Sequence, residues 1–207
     1  MNKEIRTLTS PIELRSLEDN ADKRYIVGYA LRFNSESENL GGFVETIDPS
    51  ALEGANLSDV RALFNHDANM VLGRSKAGTL NLSVDEFGLR YEIDMPNTSF
   101  ARDLMNSMER GDIDQSSFGF TIKGDGTGDE WDYDESRDLY IRTIRSFDNI
   151  FDVSVVTYPA YQATESVVAK RSLDSFKAKE NEVIEAQKAE ELRQLRQRQI
   201  AIELELI

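Results

Sequence analysis

Residues 25–33 read Tyr-Ile-Val-Gly-Tyr-Ala-Leu-Arg-Phe. This run of aromatic and β-branched side chains predicts a strand leading into a polar loop at 34–39. Six further segments, 60–64, 79–84, 89–95, 117–122, 139–144 and 151–157, show short apolar alternation bounded by Gly, Asp or Asn and predict strands as well. Glu86-Phe87-Gly88 reads as a hairpin connection. Strands this short at this spacing predict an antiparallel barrel or sandwich.

Helical spacing interrupts the pattern in few places. Pro96-Asn97-Thr98-Ser99 supplies a start signal, Phe100, Leu104 and Met108 recur at helical intervals, and Gly111 supplies a stop. A second short helix is expected around Pro49-Ser50-Ala51-Leu52-Glu53. From Leu173 onward there is neither Gly nor Pro, and the Glu, Lys, Gln, Arg, Ala and Leu composition predicts a helical tail. Leu192, Leu195, Gln199, Ile202 and Leu206 follow a three-four spacing, which leaves a partner-docking helix and a solvated one both open. The pattern therefore predicts a mainly β fold with peripheral helices (α+β) over residues 1–169, and a charged helical extension over 170–207.

Charge sharpens that boundary. The 207 residues carry a formal charge of −14, and residues 170–207 hold eight basic and eight acidic side chains, so the whole excess lies in the first 169. An acidic surface disfavours nucleic acid and anionic membrane, both of which need clustered positive charge. No apolar run approaches the roughly 20 residues of a membrane span, and the polar opening lacks the apolar stretch of a signal peptide, so a cytosolic protein is expected. The absence of cysteine removes thiol catalysis and thiolate-bound metal.

With one histidine in the chain, any imidazole chemistry falls to His66, in Leu63-Phe64-Asn65-His66-Asp67, ahead of a turn expected at Leu72-Gly73-Arg74. About fifty residues on, Ser116-Ser117-Phe118-Gly119-Phe120 offers a nucleophile. A period of two puts Ser117, Gly119 and Thr121 on one face and Ser116, Phe118 and Phe120 on the other. Ser117 is the better candidate, because the glycine beside it leaves room for a peptide backbone to approach. A serine hydroxyl needs a base, and the base needs an acid to fix its tautomer. Asp67 would have to fold back on its own neighbour, whereas Asp152 interrupts an apolar strand and wants a partner. Against these readings stand plain ones: a packing histidine, a surface serine and an aspartate on a solvated face with Ser154. The acidic segment 125–138 lacks the Gly and Glu spacing of an EF-hand, and Gly124-Asp125-Gly126-Thr127-Gly128 lacks the Lys-Ser/Thr ending of a phosphate loop. That segment reads as an exposed hairpin loop.

Several segments, taken in order, resemble the prohead proteases of tailed bacteriophages, relatives of the herpesvirus maturational protease assemblin. They are Gly28-Tyr29-Ala30 with Phe33-Asn34, Gly41-Gly42-Phe43-Val44-Glu45 leading to Pro49-Ser50-Ala51-Leu52, Asn65-His66-Asp67 with Leu72-Gly73-Arg74, Ser117-Phe118-Gly119-Phe120, and Val153-Ser154-Val155-Val156-Thr157 before Pro159-Ala160. The matching runs from about residue 24 to 168. The resemblance implies an assemblin-like antiparallel β-barrel and a serine endopeptidase that trims capsid and scaffold proteins inside the immature head, in the bacterial cytoplasm, without metal or cofactor. A homodimer is possible on the same ground. His66 would be the base and Ser117 the nucleophile. Assemblin's third member is a second histidine, which this chain lacks, so Asp152 is assigned that role by order and chemistry. Backbone N–H groups, Arg142 or Arg145 are candidates for the oxyanion hole. Two rivals remain at this point: a nonenzymatic internal scaffold with a protease-like fold, and a hydrolase of small esters.

Overall fold

All seven predicted segments are strands in a computed structural model of the chain, which describes residues 3–8, 12–17, 20–158 and 167–205. In chain order the described strands are β1 (Glu4–Leu8), β2 (Glu13–Leu17), β3 (Asn20–Arg32), β4 (Phe43–Ile47), β5 (Arg61–Phe64), β6 (Asp67–Arg74), β7 (Leu80–Val84), β8 (Gly88–Asp94), β9 (Gln115–Ile122), β10 (Asp129–Asp134), β11 (Leu139–Ile144) and β12 (Phe147–Val156). The helices are α1 (Ser99–Glu109) and α2 (Val167–Glu205). Thr98 caps α1, its hydroxyl accepting from the Ala101 N–H at 3.4 Å, and Gly111 follows the helix at φ 78°. The short helix expected near Pro49 is a single 3₁₀ turn, Pro49–Leu52, capped by Asp48.

Five strands were not expected, and two expectations are corrected by them. The turn read at Leu72-Gly73-Arg74 is the end of β6, where Gly73 lies opposite Ala62 and Arg74 opposite Arg61. A Cβ on Gly73 would come within 2.7 Å of the Thr79 carbonyl, so this glycine serves a close approach of backbones. The acidic segment read as a loop contains β10, in which carboxylates alternate with Trp131 and Tyr133 against β11. In β1 and β2 the alternation is carried by charged residues, which hides it from a hydrophobicity pattern.

The described strands form three sheets, ordered β1-β9-β12-β5-β6, β10-β11-β4 and β2-β3-β8-β7. None closes on itself, so the closed antiparallel barrel is not what forms. Two ladders are moreover parallel: β12 with β5, and β11 with β4. Their partners lie more than ninety residues apart, Asp152 beside Arg61 and Arg142 beside Glu45. Local alternation carries no information about such pairings.

One face of the five-stranded sheet is apolar. Phe118 and Phe120 stack at 4.9 Å, Phe147 meets both edge-on at 6.1 and 5.1 Å, and the core continues through Ile26, Leu89 and Ile93 of the four-stranded sheet. Ser116, on the same face, donates to the buried Tyr91 hydroxyl at 2.9 Å and ties the two sheets together. The chain divides into two compact units, Met1–Ser166 and Val167–Ile207. In the second, Val183, Ile184, Leu192 and Leu195 are exposed. No helix among the described residues is long and apolar enough to cross a membrane. Pro159-Ala160 lies outside the described residues.

Candidate active site

The site begins with a two-residue hairpin. Phe64 pairs with Asp67, leaving Asn65 and His66 as the whole connection between β5 and β6, at φ 52° and 56°. Two consecutive left-handed residues are what a type I′ turn requires, and Asn and His are among the side chains that tolerate that region. The turn is fastened to the end of β12. The Asn65 N–H donates to the Val155 carbonyl at 2.9 Å, the Thr157 N–H donates to Asn65 Oδ1 at 2.9 Å, and Asn65 Nδ2 donates to Thr157 Oγ1 at 3.2 Å. A strained, anchored turn thus aims the only imidazole of the chain.

It aims it at the polar face of the sheet. Antiparallel register sets Ser154 opposite Ser117 and Asp152 opposite Gly119, so the three side chains share one face with Thr7 and Ile5 of β1. His66 Nε2 lies 2.7 Å from Ser117 Oγ, and His66 Nδ1 is hydrogen-bonded to Asp152 Oδ1. Because a carboxylate only accepts, Nδ1 carries the proton and Nε2 presents its lone pair to the serine. Ser154 Oγ donates to Asp152 Oδ1 at 3.0 Å and lies 3.2 Å from His66 Nδ1. Lys3 Nζ donates to the other oxygen, Asp152 Oδ2, at 2.5 Å. Burial pushes the Asp152 carboxyl up, but the His66 bond and the Lys3 ammonium outweigh it and hold the group below the usual carboxylate range.

The remaining candidates are placed elsewhere. Asp67 accepts from the backbone and side-chain amides of Asn69, at 2.8 and 2.9 Å. Ser116 faces the core. Arg142 is wholly buried, with Nη1 and Nη2 on Glu4 at 2.8 and 3.1 Å, Nη1 also on Glu45 at 2.8 Å, and Nε on Asp129 at 2.7 Å. Arg6 closes this cluster onto Glu45 and Glu4. Burial opposes the Arg142 charge, yet Glu45 and Glu4 hold its pKa above the ordinary arginine value. Arg145 is bonded to Glu130 and Asp48. Both arginines are thus engaged by carboxylates.

Two features were not anticipated. Ser117 has no exposed surface, and the room beside Gly119 is filled: a Cβ there would come within 2.2 Å of Lys3 Cε and 2.6 Å of Asp152 Oδ2. Ser117 Oγ is also 2.9 Å from the Arg6 carbonyl, so its single proton has two acceptors, that oxygen and His66 Nε2. Ser154 was within reach of the sequence, since it stands two residues from Asp152 in an alternating strand. Lys3 gave no signal.

The sequence model of the caudovirus prohead serine proteases matches residues 10–179. The chain belongs to the caudovirus prohead serine protease family. It is a serine protease, and residues 10–179 take in the five-stranded sheet except β1. Among solved structures it is similar to the capsid assembly protease of bacteriophage T4, at 12% identity and a TM-score of 0.45, over 74% of this chain and 96% of that one. No curated protein sequence matches it. A Ser-His-Asp arrangement sets a hydroxyl, a base and an acid in hydrogen-bonded order. Ser117, His66 and Asp152 are side chains of this chain that stand in that order.

Proposed function

We propose that the chain is an endopeptidase of prohead maturation in which Ser117 attacks a peptide carbonyl, His66 is the general base and Asp152 the third member. The observation that carries this reading is the continuous chain of hydrogen bonds from Ser117 Oγ through His66 to Asp152. As the Ser117 oxygen bonds to the carbonyl carbon, its proton passes to His66 Nε2. The imidazolium so formed is stabilised by Asp152 and returns the proton to the leaving amine. Water then repeats the sequence on the acyl-enzyme. Attack requires the Ser117 hydroxyl to point to His66 and not to the Arg6 carbonyl, and it requires the site to open, because Ser117 is fully buried as the chain stands.

The substrates of this reading are capsid and scaffold proteins inside the immature head, in the host cytoplasm. Residues 1–169 would carry the chemistry, and the charged helix of 170–207 would serve co-assembly. Co-expression of the wild type and Ser117→Ala with the neighbouring capsid or scaffold protein, followed by intact-mass spectrometry, tests it. Truncations are expected with the wild type alone. Full-length chains in both samples, in assembled heads, would favour the scaffold role, and equal cutting in both would mean a different nucleophile. Deleting residues 171–207 tests the tail: unchanged incorporation into heads would refute its role in co-assembly.

A further inference from the structure

The geometry points to Lys3 as a positioning residue of the site: its ammonium holds the outer oxygen of Asp152, fixes the carboxylate toward His66, and places a positive charge on the far side of the carboxylate that the imidazole faces. The inference rests on the reading of Ser117, His66 and Asp152 given above.

Asp152 is 2% exposed, and a buried carboxylate requires partners on both oxygens. Its inner oxygen has His66 and Ser154, and its outer oxygen takes the Lys3 ammonium at 2.5 Å. Lys3 reaches it by crossing Gly119, whose missing side chain leaves room for that path: a methyl there would collide with both Lys3 and Asp152. Strand β1 fixes the direction of approach. Its odd-numbered residues Ile5 and Thr7 lie opposite Gly119 and Ser117, while Glu4 and Arg6 face the buried cluster with Glu45 and Arg142. The cluster therefore anchors the strand from which Lys3 extends.

A cation on Asp152 has a second effect. When Ser117 gives up its proton, His66 becomes a cation, and Lys3 is a like charge on the far side of the same carboxylate. Few other charges face the pair. On β5, Arg61 lies opposite Asp152 but is paired with Asp59; on β6, Asp67 is engaged with Asn69; on β12, Asp148 lies near Thr121 and bonds to Asn149. Strand β9 presents the uncharged Gln115, Ser117, Gly119 and Thr121 on this face. Lys3 is therefore the cation bonded directly to Asp152. Removing it takes away that like charge, so the acid limb of the reaction should move to higher pH.

The test measures the rate of Ser117 phosphonylation by a fluorophosphonate, read by intact mass from pH 5 to 9, on the full-length wild type, Lys3→Met and Lys3→Arg. In this reaction Ser117 Oγ displaces fluoride from phosphorus and its proton goes to His66. For Lys3→Met the acid limb should move up by roughly half to one pH unit, a three- to tenfold slower reaction at the acid end with a smaller change above pH 8. Lys3→Arg should restore the wild-type profile. Superposable profiles for the wild type and Lys3→Met overturn the Lys3 role alone, and so does a uniform loss at every pH that Lys3→Arg does not restore. If Lys3→Met fails to fold, Lys3→Gln with the same profile as the wild type overturns it equally. A wild type that is not labelled on Ser117, or a Ser117→Ala chain labelled as fast, removes the underlying reading of the nucleophile and this inference with it.

Discussion

Two groups of buried charge meet at β1, one on each face, and they behave differently. On the core side, Glu4, Arg6, Glu45 and Arg142 form a cluster in which guanidinium groups are held by carboxylates, at distances from 2.8 to 3.1 Å for those between Arg142 and the two glutamates. Guanidinium does not give up its proton in the working range, so this cluster passes no proton near neutral pH. On the other face, Asp152 and Ser117 are equally enclosed and His66 is half-buried, but one member is an imidazole and one a hydroxyl with a choice of two acceptors. The first group fixes a strand, and the second can pass a proton. Burial alone therefore does not mark a functional site, whereas a buried chain of groups that exchange protons does.

The largest effects should separate the two groups cleanly. Ser117→Ala should abolish processing of a protein substrate, a loss on the order of 10⁴-fold or more, with little change in denaturant unfolding. Asp152→Asn should cost on the order of 10³- to 10⁴-fold, because an amide at that position favours the wrong imidazole tautomer. Retention of more than a tenth of wild-type processing by either variant would break the comparison. Arg142→Met should do the reverse. It leaves Glu4, Glu45 and Asp129 with too little positive charge and should lower the unfolding free energy by roughly 3–5 kcal/mol, while any folded fraction still labels Ser117. A stable Arg142→Met protein that no longer labels would show that the two groups are not independent.

Acid sharpens the contrast further. Both groups contain a carboxyl whose pKa is depressed despite burial: Asp152, opposed by His66 and Lys3, and Glu45, opposed by Arg6 and Arg142. A depressed folded pKa contributes stability that is complete above the unfolded value, near 4, and is lost as pH falls through the folded value. Denaturant unfolding from pH 7 to 3 should therefore show constant stability until about pH 4.5 and a decline below it. Asp152→Asn should remove its share of that decline and leave the share of Glu45. An identical acid slope in the variant would take Asp152 out of the effect and assign it to Glu45 and to the other depressed carboxyls, Asp48 and Asp59 among them.

How much of this was legible in the sequence follows from the range of the forces involved. The strands with apolar alternation were readable because the period of two is local, and the same period put Ser117 and Gly119 on one face and the phenylalanines on the other. Asp152 was readable as a charge out of place in an apolar strand. The two-residue turn at Asn65-His66 was not read, since its sign is a pair of left-handed residues and neither is glycine. The parallel ladders that bring Arg61 beside Asp152 and Glu45 beside Arg142 depend on packing across the whole unit. Lys3 and the core cluster were invisible for the same reason: a charged residue in a short terminal strand reads as surface until its partner is known.

The smallest effect tests how finely the proton-passing group is tuned. Ser154 donates to the oxygen of Asp152 that also accepts from His66, so its removal leaves the hydrogen bonds joining Ser117, His66 and Asp152 intact but takes away one restraint. A single neutral hydrogen bond to a charged acceptor is worth about 1.5–3 kcal/mol at most, and here His66 and Lys3 still satisfy the carboxylate. Ser154→Ala should slow Ser117 phosphonylation by roughly three- to tenfold at every pH, with the acid limb in place. Lys3→Met should instead move the limb. A Ser154→Ala profile that shifted along the pH axis would mean that the hydroxyl affects the charge balance as well as the geometry, and the assignment of charge to Lys3 and geometry to Ser154 would have to be redrawn.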